Sequence, residues 1–227
     1  NKRTNRVISA IIIVHVWGNA ANIVNLVSLC RKRNIKIIED ASESLGSRYI
    51  KRHNNKHTGL IGDIGCISFN TNKIITCGSG GAVITNNSKY AKQVKYLSTQ
   101  AKNNDIFYIH NTVGYNFRLN NLNAAVGLAQ IEKISYFLKE KQKNYIIYKD
   151  KISKLQKFDI LSTPTYSINN NWINILKINP KYKNSMKNVL NYLITKNIEV
   201  RPVWHLNHLQ KMFKKYQSYK ISNAIDL

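Results

Sequence analysis

Acids, cysteines and long apolar runs are all scarce in this chain, and each shortage removes a class of function. Only 11 Asp and Glu stand against 35 Lys and Arg, a net charge of +24 over 227 residues. Taken alone, such an excess reads as the footprint of a polyanion-binding protein. The basic residues are nevertheless spread along almost the whole chain beside heavy use of Asn and Ile, the set that an AT-rich coding sequence favours. Nucleic acid is therefore not the expected partner. Against this background three acids within five positions, Glu39, Asp40 and Glu43, need a reason.

Cys30, Cys66 and Cys77 form neither a CxxC pair nor an even disulfide set, which fits a reducing compartment. The histidines at 15, 53, 57, 110, 205 and 208 show no metal-ligand spacing with them, so no metal is expected. Apolar runs such as residues 7–14 are far too short to cross a bilayer, and no signal peptide is expected before them. A cytoplasmic protein without a membrane partner is the simplest expectation. Internal repeats and a low-complexity linker are missing too. Gly78-Ser-Gly-Gly81 is not GxGxxG and reads as a place of close backbone packing. The chain begins without Met and stops at Leu227 without an obvious closing element, so a fragment is expected.

With 43% hydrophobic residues, the chain can bury a substantial core in one large or two modest domains. Residues 7–14 are nearly all β-branched or aliphatic, as in a strand buried on both faces of a parallel sheet. A loop with His15, Trp17 and Gly18 follows, then a helix capped by Asn19 or Asn22, then a strand at residues 35–39. Strand, helix, strand in this span is a βαβ unit with parallel strands. Residues 46–57 read as an exposed polar loop, residues 64–69 and 81–85 as strands, and residues 88–99 as a helix capped by Ser88. Residues 100–121 have little periodicity but many aromatic and amide groups, as site or interface loops often do. A long unbroken helix is expected from 122 to about 155, then strands at 172–178 and 198–203 around a helix at 185–196. The division expected is 1–155 and 156–227, an α/β part followed by the start of a smaller α+β domain.

Ligands of such sheets sit outside the carboxyl ends of the strands, where Asp40 stands. Lys73 follows the third strand, with Ser68 five residues before it. A pyridoxal phosphate enzyme needs a lysine amine, a carboxylate to keep the pyridine nitrogen protonated and donors for the phosphate. Each group also has a plain reading: Lys73 as a surface lysine, Asp40 as a helix cap or turn, Ser68 as a strand hydroxyl bonded to backbone.

Four ordered stretches, residues 38–46, 62–73, 80–85 and 114–119, resemble successive motifs of the DegT/DnrJ/StrS sugar-nucleotide aminotransferases, and residues 201–210 extend the match. The resemblance implies a fold type I pyridoxal phosphate-dependent transferase, with a three-layer αβα, mostly parallel sheet and an incomplete small domain. It implies a homodimer with the site at the interface. Lys73 would be the Schiff-base lysine and proton carrier, Asp40 the partner of the pyridine nitrogen and Ser68 a phosphate donor. Asn116 would reach the partner's phosphate. Glu43 sits near the ring hydroxyl where Gln is commoner, which leaves its protonation state open. Arg118 would assist at the phosphate or serve a structural ion pair. His205 and His208 would line the substrate pocket or serve a structural or rim role.

Dehydratase relatives carry His in place of Lys73, so the resemblance favours transamination. Its implied substrates are a nucleotide-linked 4-keto sugar, most similar to the UDP-linked N-acetylated sugars of bacillosamine or legionaminic acid routes, and an amino-acid donor, glutamate. The other reading is an inactive remnant or a basic module that binds anionic polymer. The family's usual Gly-Thr phosphate turn and ring-stacking aromatic are not found before Val7, so weak cofactor binding and little turnover are expected of this piece alone.

Overall fold

The computed structural model describes residues 4–50, 55–104 and 106–225. It divides into two compact units, one of residues 8–145 and 163–173, the other of residues 1–7, 146–162 and 174–227. His53 lies outside the described residues.

The first unit is built on β1 (Ala10–Val14), α1 (Val24–Lys32) and β2 (Lys36–Asp40), the expected βαβ unit with parallel strands. After β3 (Arg48–Tyr49) come β4 (Ile64–Ser68) and β5 (Gly81–Ile84). The sheet order is β1-β2-β4-β5, with β2–β4 parallel and β4–β5 antiparallel. Two of three pairings are parallel, so this is a mixed sheet of the α/β class.

The core lies on one face. Ile13, Ile37, Ile23, Val27, Cys30, Tyr49 and Ile61 pack together there, partly beneath α1. The opposite face of β1 is open, with Ile12 65% and Val14 43% exposed. This corrects the expectation of a strand buried on both faces: the β-branched run satisfies that pattern, but the described residues cover only the side on which α1 packs.

Several local expectations change. The α1 helix begins without a side-chain cap, after Ile23 rather than Asn19 or Asn22. Residues 46–50 are not an exposed loop, because β3 pairs with β9 (Ser167–Ile168) and Ser47 and Tyr49 are buried. Asn87 rather than Ser88 caps α2 (Ser88–Ser98), its side chain accepting from the N–H groups of Lys89 and Tyr90. Residues 100–121 contain the short pair β6 (Lys102–Asn104) and β7 (Ile109–His110).

The long helix is two helices, α3 (Asn121–Glu132) and α4 (Ile134–Ser153). At the break the Lys133 N–H bonds back three residues to Gln130 O, a tighter closure than the α-helical four. On α4, Leu138 packs against Gly46 and Lys141 Nζ donates to the carbonyl of Trp172 at 3.0 Å.

The second unit holds β8 (Phe158–Ile160) paired antiparallel with β10 (Leu176–Ile178), then α5 (Met186–Thr195) and α6 (Ser222–Ile225). Residues 198–203 form no strand, and the strand expected at 172–178 is confined to its last three residues. Among the described residues no helix is long and apolar enough to cross a membrane, and no group of three or more His, Cys, Asp or Glu could hold a metal ion.

Candidate active site

Three parallel strands bring their carboxyl ends to one edge, and the acids singled out in the sequence stand there. Val14, Asp40 and Cys66 are in register across β1, β2 and β4, so their side chains share a face. Glu39, one residue earlier on β2, points the other way and is fully buried. Its carboxylate accepts from the N–H groups of Gly59 (2.9 Å), Ile61 (2.6 Å) and Gly62, and from His15 Nε2 at 2.9 Å. His15 Nδ1 accepts the Ala21 N–H at 3.1 Å, so the ring proton is on Nε2, facing Glu39. Burial pushes the Glu39 carboxyl up, but the bonds from His15, Gly62 and Gly59 together outweigh it and leave it below the ordinary value. This pair ties the β1 and β2 ends to the loop that leads into β4.

Asp40, on the other face, is half-buried and accepts the Ser42 N–H at 3.1 Å. Burial raises the thiol pKa of Cys66 beside it, and the Asp40 charge adds to the shift. Glu43 is fixed by the Trp17 N–H, 2.7 Å from Oε2. Trp17 can donate there because its backbone is left-handed, φ 55°, a conformation uncommon outside glycine. Burial raises the Glu43 carboxyl, Asp40 adds to that, and the Trp17 N–H and Lys73 only partly oppose it.

Lys73 closes a turn after β4, its N–H bonded to Asn70 O at 3.1 Å. Its Nζ stands 3.9 Å from Glu43 Oε1, with both side chains largely buried. On another side it lies over the ring of Trp172, 4.1 Å from the centroid. Ser68 ends β4, and its Oγ accepts the Asn70 N–H at 3.2 Å, which leaves the hydroxyl proton for another acceptor.

Lys73, Glu43 and Asp40 therefore form one cluster, with Ser68 on the strand that leads to the lysine. An amine flanked by a half-buried carboxylate, a second carboxylate at a strand end and a hydroxyl with a spare proton fit pyridoxal phosphate. Lys73 would hold its aldehyde carbon, Asp40 its pyridine nitrogen and Ser68 its phosphate.

The other expected residues are elsewhere. Asn116 and Arg118 lie on the segment that bridges from Thr99, where the Phe117 N–H bonds to Ser98 O and Tyr115 stacks on Phe117 at 5.0 Å. Both are exposed. His205 and His208 belong to the second unit, His205 exposed and His208 half-buried within a single 3-10 turn at Asn207–Leu209.

Sequence reasoning missed Trp172 and Asn170. Asn170 is buried; its Nδ2 donates to Glu43 O (2.8 Å) and Leu45 O (3.0 Å), its Oδ1 accepts the Trp172 N–H (3.0 Å), and its own N–H reaches Ser47 Oγ (2.9 Å). The signal was present in Asn169-Asn170-Asn171, because three amides in succession fit poorly in a strand, and in an indole that needs an acceptor once buried.

Comparison with known proteins gives this geometry a family. The chain is 34% identical over 225 residues to the GDP-perosamine synthase of Escherichia coli O157:H7, covering 99% of this chain and 59% of that protein. It is 32% identical over 212 residues to EpsN of Bacillus subtilis, covering 93% and 53%. It superposes with a TM-score of 0.86 on Helicobacter pylori PseC, an aminotransferase involved in the biosynthesis of pseudoaminic acid, at 23% identity over 96% of this chain and 58% of that one. The chain thus spans between half and three-fifths of the length of these relatives. A model of the DegT/DnrJ/EryC1/StrS aminotransferases matches residues 1–226, and the chain belongs to that family.

Proposed function

We propose that the protein transfers an amino group from an amino acid, glutamate, to a nucleotide-linked 4-keto sugar with pyridoxal phosphate as cofactor, in amino-sugar and surface-polysaccharide biosynthesis. The observation that carries this reading is the Lys73 amine, 3.9 Å from Glu43 and gathered with Asp40 at one sheet edge. When bound, the cofactor supplies an electron sink that makes the C–H bond beside the transferred nitrogen acidic. Lys73 would hold the cofactor until the amino group of the donor displaces it, and its freed Nζ would then move that proton. Asp40 would keep the pyridine nitrogen protonated, and Glu43 would face the ring hydroxyl. Ser68 donates to the phosphate.

The reading includes a homodimer in which Asn116 reaches the partner's phosphate, with Arg118 beside it, and a substrate pocket to which His205 and His208 contribute. The names of similar proteins support a nucleotide sugar: GDP-perosamine synthases on one side, UDP-4-amino-4,6-dideoxy-N-acetyl-β-L-altrosamine transaminases on the other. The acceptor in this reading is the UDP-linked N-acetylated keto sugar, to be compared with a GDP-linked keto sugar by measuring turnover of each.

The test adds pyridoxal phosphate to the full-length protein, reduces with borohydride and maps the adduct by peptide mass spectrometry. The adduct is expected on Lys73 and is expected to vanish in Lys73→Ala. An adduct spread over surface lysines, unchanged in Lys73→Ala, overturns the reading.

A further inference from the structure

The amine that the proposed function depends on has a neighbour with no part in that function so far. Trp172 is 6% exposed, and its ring is fixed at several points. The indole N–H donates to the carbonyl of Asn72, the residue immediately before the lysine. The backbone N–H of Trp172 is bonded to Asn170 Oδ1 at 3.0 Å, and its carbonyl accepts Lys141 Nζ at 3.0 Å. Asn170 is in turn bonded to the carbonyls of Glu43 and Leu45. The ring is thus registered against both the turn that carries Lys73 and the segment that carries Glu43.

Lys73 Nζ sits between an aromatic face at 4.1 Å and a carboxylate at 3.9 Å. A lysine side chain has several rotatable bonds and gains rotamer entropy by swinging free. An ion pair at 3.9 Å is weak in directional terms, because it lies beyond hydrogen-bond range. The indole face adds an attraction on a second side, and the quadrupole of the ring is strongest over its centre. Together they confine the nitrogen to the edge where Asp40 ends β2.

We propose that Trp172 is a positioning residue for Lys73, its indole face holding the amine against the Glu43 side at the place where the cofactor aldehyde arrives. The inference rests on the pyridoxal phosphate reading above. A purely structural Trp172 would fill space and lower the melting temperature when truncated, without a selective effect on the lysine.

The test uses full-length apoprotein, pyridoxal phosphate and borohydride quenching at timed intervals, with the Lys73 peptide quantified by mass spectrometry. Trp172→Leu is expected to slow adduct formation at Lys73 about tenfold, and Trp172→Phe, which keeps a π-face but no N–H, about threefold. In the reduced native adduct, indole emission is expected to be quenched by the adjacent pyridoxyl group, and most of that quenching is expected to disappear in Trp172→Phe. Native rates in Trp172→Leu with an unchanged far-ultraviolet circular dichroism spectrum overturn the proposal. If Trp172→Leu does not fold, Trp172→Phe decides, and native rate with native quenching overturns it. No adduct at Lys73 in the native protein instead overturns the cofactor reading itself, and this inference with it.

Discussion

His15 donates from Nε2 to Glu39 across 2.9 Å, and neither side chain is exposed to solvent at all. Because Ala21 occupies Nδ1 and three backbone N–H groups occupy the carboxylate, the pair is fully satisfied, which is the condition for a buried charge to be tolerated. Glu39 lies below its ordinary value of 4.5, so the folded state releases this proton more readily than the unfolded chain. Its contribution is present above about pH 4.5 and is lost as pH falls through the folded value. Glu39→Gln places an amide among N–H donors and is expected to cost about 3–5 kcal/mol at neutral pH. Urea unfolding as a function of pH should show a shallower acid decline in the variant than in the native protein. Parallel acid limbs would remove Glu39 from the account.

Glu43 has the opposite sign. Its carboxyl is raised, first by burial and then by the Asp40 charge, so the folded state binds this proton more tightly than the unfolded chain does. The associated stability is present below about pH 4.5 and is lost as pH rises through the raised value. Glu43→Gln keeps an acceptor for the Trp17 N–H and cannot ionise. Its melting temperature relative to native is expected to climb with pH from about 4.5 upward, read by calorimetry across a pH series. A difference constant with pH would refute the burial argument.

The latch at Asn170 predicts a specific non-additivity. Gly18 has φ +82°, and a Cβ added there would run into Asn170 Oδ1. Gly18→Ala should therefore be severe alone. Asn170→Ala strands the carbonyls of Glu43 and Leu45 and should cost about 2 kcal/mol or more. In that background the closest clash is gone, leaving Asn169 Oδ1 at 2.8 Å and the positive-φ backbone, so Gly18→Ala should cost less than it does in the native background. A double-mutant cycle in denaturant measures this, and simple additivity would show that the two residues do not meet.

Turnover supplies the fourth prediction. Under the proposed function, Lys73→Ala should reduce transaminase turnover by at least about a thousandfold, the scale of a lost acid–base group combined with a lost covalent anchor. Lys73→Arg keeps the charge near Glu43 but has no nucleophilic amine, and is expected to be equally inactive with near-native stability. Activity in Lys73→Arg within tenfold of native would show that the amine is not the group that reacts.

How much of this was legible in the sequence depends on distance along the chain. The placement of Asp40 and Ser68 follows from local patterns, because parallel strands must present their carboxyl ends together. The cap on α2 was expected at Ser88 and falls instead to Asn87, the side chain that reaches the N–H groups of Lys89 and Tyr90. The break at Lys133 has no helix-breaking residue to announce it, and the packing of Leu138 against Gly46 depends on residues nearly a hundred positions earlier. Trp172 was hidden for the same reason: its indole partner, Asn72, is 100 positions away. Periodicity reports which face of an element is buried, and is silent on which distant loop will lie against it.

The Asn170 latch also sets a timetable. Asn170 follows Glu43 by 127 residues, so a ribosome adding about 5–20 residues per second delivers it roughly 6–25 s after the acid it fastens. During that interval the strands around Glu39 can pair while the lysine turn waits for its aromatic cover. Under the proposed function, the sheet scaffold can therefore form before the proposed neighbour of the cofactor lysine has been synthesised.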